Sequence, residues 1–126
     1  MRQWMCDPEI LCDNHLLGEH CEHHMFMGAI KKGTSMRGYL LNNLLEPTSL
    51  KNRHDEISSE MTSRGMDHKT PFNKNNDSVI IEKLSIDHLN WKIDKSIALN
   101  DLLSRCPKCK ERYDKMNSVK EICNAE

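Results

Sequence analysis

Aromatic residues are scarce in this chain: two Trp, two Tyr and two Phe among 126 residues. Its core must therefore come mainly from Leu, Ile and Met. Long apolar runs are also missing, and nothing approaches the roughly 20 residues that a helical membrane span requires. No apolar signal region follows Met1-Arg2-Gln3-Trp4, so a cytoplasmic protein without a membrane partner is expected. Neither sign of charge prevails. With 18 basic against 19 acidic residues the formal charge is −1, which argues against bulk coating of nucleic acid but leaves room for local basic faces. Two such clusters exist. Lys31, Lys32 and Arg37 lie in a Gly-containing segment, and Arg105, Lys108, Lys110, Arg112 and Lys115 outnumber Glu111 and Asp114 near the carboxyl end. There is no internal repeat and no clear sheet pattern, and the length suits one domain, residues 1–126, with a single core.

Histidine, cysteine and methionine are plentiful by contrast, at seven, six and eight residues. The cysteines, at 6, 12, 21, 106, 109 and 123, are irregularly spaced, which reads as reduced thiols rather than a disulfide framework. Four of the histidines fall between Asp13 and Gly28, together with Glu19 and Glu22, in what reads as one helix. Ionisable groups at that density are costly to fold and seldom placed for packing alone. An active site is expected there.

The periodicity predicts an all-α fold with three main helices and long connections. The first begins near Asp13 as N-cap and carries Leu16, Leu17, His20, His24 and Met27 on one broad side. A Gly-punctuated connection over 31–46 holds a short apolar piece, Tyr39-Leu40-Leu41. The second helix is announced by Pro47-Thr48-Ser49 and stopped by Gly65 as the C′ residue. Leu50, Ile57 and Met61 recur in it at helical spacing, with His54 in their stripe. Residues 70–78 read as a loop, and 79–91 fit either an extended segment or a helix. The third helix runs from Asp94 to Arg105; Pro107 ends it and a short basic segment follows.

On a helical wheel His15, Glu19, Glu22 and Phe26 share one narrow stripe. That stripe is either a solvated face or a carboxylate and an imidazole facing one substrate. In the second case Glu22 is a general acid or base, and His15 binds phosphate or orients the chemistry. His20 and His24, at i and i+4, point to the other side with the spacing by which a helix offers two imidazoles to a metal. His54 and His68 would complete a zinc or iron site; the alternative is a set of core histidines hydrogen-bonded to backbone or carboxylate. Cys106-Pro107-Lys108-Cys109 is a single C-x-x-C, and zinc there would need partners from Cys6, Cys12, Cys21 or Cys123. Unmetallated thiols are equally admissible. The basic segment 105–115, with Tyr113 inside it, fits either a phosphate-tracking surface or a solvated helix.

Taken in order, these features resemble the pyrimidine-dimer DNA glycosylase (endonuclease V) family. The resemblance runs from Met1-Arg2 through His15-Leu16-Leu17-Gly18-Glu19-His20-Cys21-Glu22, where the family has His-Leu-x-x-Glu-x-x-Glu. It continues through Phe26-Met27-Gly28-Ala29, Arg64-Gly65, Ser96-Ile97-Ala98 and Cys106-Pro107 with its basic and Tyr sequel. It implies an all-α fold with an N-terminal segment packed between helices. It also implies an N-glycosylase with AP-lyase activity on pyrimidine dimers or related damaged bases, a monomer acting on damaged double-stranded DNA in the nucleoid. In that chemistry an α-amine attacks the anomeric carbon, expels the base and forms an imine, and β-elimination breaks the strand. An ordinary α-amine, with a pKa of about 7.7–8.0, keeps a useful neutral fraction near neutral pH. By this resemblance Met1 supplies the amine, Glu22 is the catalytic carboxylate, and the bulky Arg2 protects the initiator Met from removal. The substrate phosphates fall to Arg2, His15, Lys31, Lys32, Arg37, Arg64, Lys108, Lys110 and Arg112. No cofactor is required on this reading; the alternative is a histidine-rich zinc or iron protein on the same fold with a different substrate.

Overall fold

A computed structural model of the chain describes residues 1–66 and 76–124. Among them are seven α-helices and no strand: α1 (Asp13–Lys31), α2 (Arg37–Leu41), α3 (Leu50–Ser63), α4 (Asn76–Lys83), α5 (Ile86–Leu89), α6 (Lys95–Arg105) and α7 (Pro107–Asn124). Short 3-10 turns stand at Pro8–Ile10 and Pro47–Ser49. None of the described helices is long and apolar enough to cross a membrane.

The ends of α1 and α3 follow from local chemistry. Cys12, not Asp13, is the N-cap of α1, and Asp13 sits in the first turn, where a carboxylate favours the positive end of the helix dipole. At the end of α3, Gly65 takes φ 76° and Met66 N–H returns to the Met61 carbonyl at 2.8 Å. That left-handed closure suits glycine.

Two stretches differ from the sequence expectation. The loop expected over 70–78 gives way at Asn76 to α4, and Ser85 caps α5 by accepting the His88 N–H, so 79–91 is helical in two short pieces. Residues 67–75, His68 among them, lie outside the described residues. Pro107 does not merely end the third helix. It occupies the first position of an 18-residue helix, where its missing N–H is no loss. Among its described side chains Cys109, Tyr113 and Met116 form a thin apolar stripe, and ion pairs such as Lys110–Asp114 (2.7 Å) and Lys115–Glu111 (3.2 Å) add support. The fold thus has four long helices rather than three.

The apolar core is divided. One cluster gathers Trp4, Leu11, Leu16, Ile57, Met61 and Leu102; the other gathers Phe26, Ile30, Met36, Leu40, Leu50 and Ile80. Helices α1 and α3 run through both clusters, and between the two they contribute a buried polar layer of Glu19, His20, His23, Arg53 and His54. A layer of that kind folds only if its groups satisfy one another.

The N-terminal segment supplies many of the partners. Gln3, fully buried, donates its N–H to the Leu44 carbonyl (2.8 Å) and accepts the Glu46 N–H on its side-chain oxygen. Trp4 N–H donates to Glu19 Oε1 (3.1 Å), and the Cys6 carbonyl accepts from Arg53 Nη1. Met5 adopts φ 56°, a conformation of non-glycine residues that persists only where neighbouring contacts fix it. Residues 2–6 are thereby threaded between α1, α3 and the 42–46 connection.

Candidate functional site

The threaded segment opens into a cavity of about 610 Å³ whose lining includes Met1, Arg2, His15, Glu22, Asp101 and Arg105. Glu22 faces it from α1 and accepts the Arg2 backbone N–H on Oε2 at 3.1 Å. Successive backbone nitrogens are one peptide unit apart, so the Met1 nitrogen lies no more than about 7 Å from that oxygen. The Arg2 side chain turns the other way. Its guanidinium binds Asp101 of α6 at 2.6 Å and lies 3.7 Å from the centre of the Trp4 ring, a cation–π contact that holds it flat. Asp101 also pairs with Arg105 at 2.8 Å. The cavity therefore presents one carboxylate beside the chain's first residue, and its lining also holds the guanidinium groups of Arg2 and Arg105, both paired with Asp101.

Behind Glu22 the polar layer fixes the segment. Arg53 grips Glu19 with both Nε (2.6 Å) and Nη2 (3.0 Å). Burial opposes its charge, yet the hydrogen bonds and charge of Glu19 hold its pKa above the ordinary guanidinium value. His23 meets the Glu19 carbonyl through Nδ1 at 2.7 Å and Gln3 Nε2 through its other nitrogen at 3.1 Å. A carbonyl only accepts, so Nδ1 carries the proton and Nε2 accepts from Gln3. Burial drives the His23 pKa down to about 3, with nearby Arg53 adding to the fall and the Glu19 carbonyl opposing it.

The folded state thus keeps His23 neutral, while an unfolded chain takes up its proton near pH 6.5. Stability is expected to fall as pH drops from about 6.5 toward 3, because the unfolded chain binds the extra proton. Urea unfolding midpoints measured with chelator present should decline more steeply over this range in the wild type than in His23→Gln. Equal slopes would remove His23 as the cause.

Two further clusters bring together side chains of the types that can ligate a metal ion, among the described residues. His20, His24 and His54 bring their ring nitrogens within 4.8 Å of one another, with His24 Nε2 and His54 Nε2 at 3.1 Å. Asp55 meets the other side of His54 at 3.1 Å. Cys12, His15, Cys106 and Cys109 form the second cluster. Burial pushes the Cys109 thiol up to about 12, whereas Cys106, against its own burial, is lowered by the Cys109 N–H and the adjoining thiols.

The expected phosphate-binding residues separate. Arg2 and His15 reach the cavity, but His15 turns Nδ1 toward Cys12 (3.1 Å) and Cys109 (3.7 Å). Lys108 and Arg112 line a second depression that shares Asn14 with the cavity. Lys110 is exposed and paired with Asp114. Lys31 and Lys32 are exposed at the far end of α1, about 14 Å along the helix from Glu22 at its nearest, and Arg37 is exposed at the start of α2. Arg64 is engaged elsewhere: it binds Asp13, Glu60 and the Pro8 carbonyl, and so ties the end of α3 to the start of α1. Sequence reading had not singled out Asp101, Arg53 or Asn14. The i, i+4 pair Asp101–Arg105 was the one local signal; Arg53 and Asn14 carried none.

A model of the family described as pyrimidine dimer DNA glycosylase matches residues 1–74, the span from the threaded segment through α3. No curated protein and no solved structure matches the chain. The matched span covers more than half of the sequence and contains both Met1 and Glu22, and the chain belongs to the pyrimidine dimer DNA glycosylase family.

Proposed function

We infer from membership of this family that DNA is the substrate and repair glycosylase the class of activity. We propose that the protein removes pyrimidine dimers or related damaged bases from double-stranded DNA and then cleaves the strand as an AP lyase, with the Met1 α-amine as nucleophile and Glu22 as its partner. The observation carrying this reading is the Arg2 N–H bond to Glu22 in a cavity that Met1 also lines. In the scheme, the amine nitrogen forms a bond to the anomeric carbon as the carbon–base bond breaks. Glu22 takes the proton the amine sheds and delivers one to the sugar ring oxygen as the ring opens to an imine. Loss of a proton from the adjacent sugar carbon then breaks the bond to the 3′ phosphate. The sugar–phosphate backbone falls to Arg105, whose side chain is largely exposed beside Asp101, and to Lys108 in the neighbouring depression.

The test is borohydride trapping on duplex DNA carrying an abasic site or a pyrimidine dimer. Protein whose intact mass and amino-terminal sequence show a free amine at Met1 should give a covalent adduct. The adduct should vanish when that amine is acetylated or preceded by one extra residue. Absence of an adduct from the unblocked protein would sink the imine mechanism. A second reading, a metal-dependent activity on the same fold, draws on the convergence of His20, His24 and His54. It requires zinc or iron that is lost in His20→Ala or His24→Ala, and cleavage that a chelator stops.

A further inference from the structure

The reaction scheme makes no use of the second metal-binding cluster. Cys12 is the N-cap of α1 and His15 lies in its first turn; Cys106 precedes α7 and Cys109 lies in that helix's first turn. Two pairs with the same x₂ spacing thus meet from opposite ends of the chain, 94 residues apart. Cys12 Sγ stands 3.8 Å from Cys106 Sγ and 3.1 Å from His15 Nδ1, and Cys109 Sγ stands 3.7 Å from the same nitrogen. All four ligand atoms lie within 4.8 Å of one another. A tetrahedral zinc ion, with bonds of about 2.3 Å to sulfur and 2.0–2.1 Å to nitrogen, spaces two sulfurs about 3.8 Å apart and a sulfur and a nitrogen about 3.6 Å apart. The 3.8 Å and 3.7 Å spacings match that geometry, and the Cys12–His15 approach lies about 0.5 Å inside it.

Backbone donors already point at the sulfurs. Cys12 N–H donates to Cys109 Sγ at 3.2 Å, and Cys109 N–H to Cys106 Sγ at 3.4 Å. Such bonds favour thiolates. The three cysteines are buried and not joined in disulfides, and His15 is braced edge-on against Trp4 with ring centres 5.8 Å apart. Soft thiolates with one imidazole, four protein ligands and a closed surround select zinc in a structural role.

We propose that Cys12, His15, Cys106 and Cys109 bind one zinc ion that clamps the start of α1 to the α6–α7 junction. The clamp has a consequence for the cavity. Asp101 and Arg105 lie just ahead of Cys106, so the ion holds the wall they form against Arg2. His15 acts here as a ligand through Nδ1 rather than as a phosphate-binding group.

The full-length untagged protein, expressed with zinc, should carry about one zinc per chain at this site. Exchange for cobalt(II) should give the thiolate-to-metal charge-transfer bands of a tetrahedral, sulfur-rich site. Those bands should be unchanged in His20→Ala and absent in the paired variant Cys106→Ser/Cys109→Ser. Chelation of the wild type should lower its Tm, because metal binding and folding are linked. Wild-type protein that takes up cobalt without thiolate bands overturns the proposal, as do thiolate bands that survive the paired substitution, or a Cys12–Cys106 disulfide in freshly isolated protein. Where the paired variant does not fold, the wild-type cobalt spectrum decides alone. None of these readouts depends on DNA cleavage, so they stand or fall apart from the glycosylase reading.

Discussion

Glu22→Gln is expected to slow single-turnover cleavage of abasic-site DNA by about 10²–10⁴-fold, the range typical for loss of a general acid–base group. The substitution is chosen for what it keeps. Glutamine retains an oxygen that accepts the Arg2 N–H, now 3.1 Å from Glu22 Oε2, so the threaded segment stays in register. It removes only the negative charge and the capacity to take up a proton. Glu22→Ala removes the hydrogen bond as well, releases the first residues from α1, and should fall further. Thermal unfolding should place the Gln variant close to the wild type, since Glu22 is half-buried at the cavity rather than within the polar layer. A Gln variant that cleaves within about threefold of the wild type would rule out proton transfer by this carboxylate.

The sequence made some of this arrangement readable and concealed the rest. Helices α1 and α3 were evident because each joins a periodic apolar face to a local boundary signal, the start near Asp13 for one and the Gly65 stop for the other. The i, i+4 pair His20–His24 and the placement of His54 on the α3 stripe anticipated their convergence, because helical spacing alone aims all three inward. The wheel also set His15, Glu19, Glu22 and Phe26 on one face. It could not divide them. Phe26 and Glu19 are buried while Glu22 reaches the cavity, because the N-terminal segment and Arg53, 34 residues from Glu19, cover part of that face. Nothing local in the chain encodes that cover.

The thiol cluster shows the same limit. Cys106-x-x-Cys109 was visible as half a site with four candidate partners, yet Cys12 and His15 are chosen by the packing of α7 against the Pro8–Ile10 turn. That packing depends on α7, whose apolar stripe was too thin to announce a helix. Charge misled in a different way. Arg64 looked like one more phosphate ligand, but its guanidinium is spent on Asp13 and Glu60. A cation's availability depends on which carboxylates the fold brings to it.

Arg53→Ala should destabilise the protein by about 3–5 kcal/mol, the range found when one partner of a buried ion pair is removed. For a chain of this size that lowers Tm by roughly 10–25 °C. The side chains of Arg53 and Glu19 are 2% and 0% exposed. Without the guanidinium, Glu19 would keep the Trp4 N–H as a donor but lose both charged contacts, and the Cys6 carbonyl would lose Arg53 Nη1. The double replacement Glu19→Leu/Arg53→Met separates charge burial from positioning. It removes both charges and fills the space, so most of the lost stability should return. Cleavage should not return with it. Trp4 N–H then has no carboxylate and the Cys6 carbonyl no donor, and these two bonds, with those of Gln3, set the path of the segment that carries Met1 past Glu22. A double variant that regains its Tm and also cleaves like the wild type would show that the ion pair supports the fold without aiming the amino terminus.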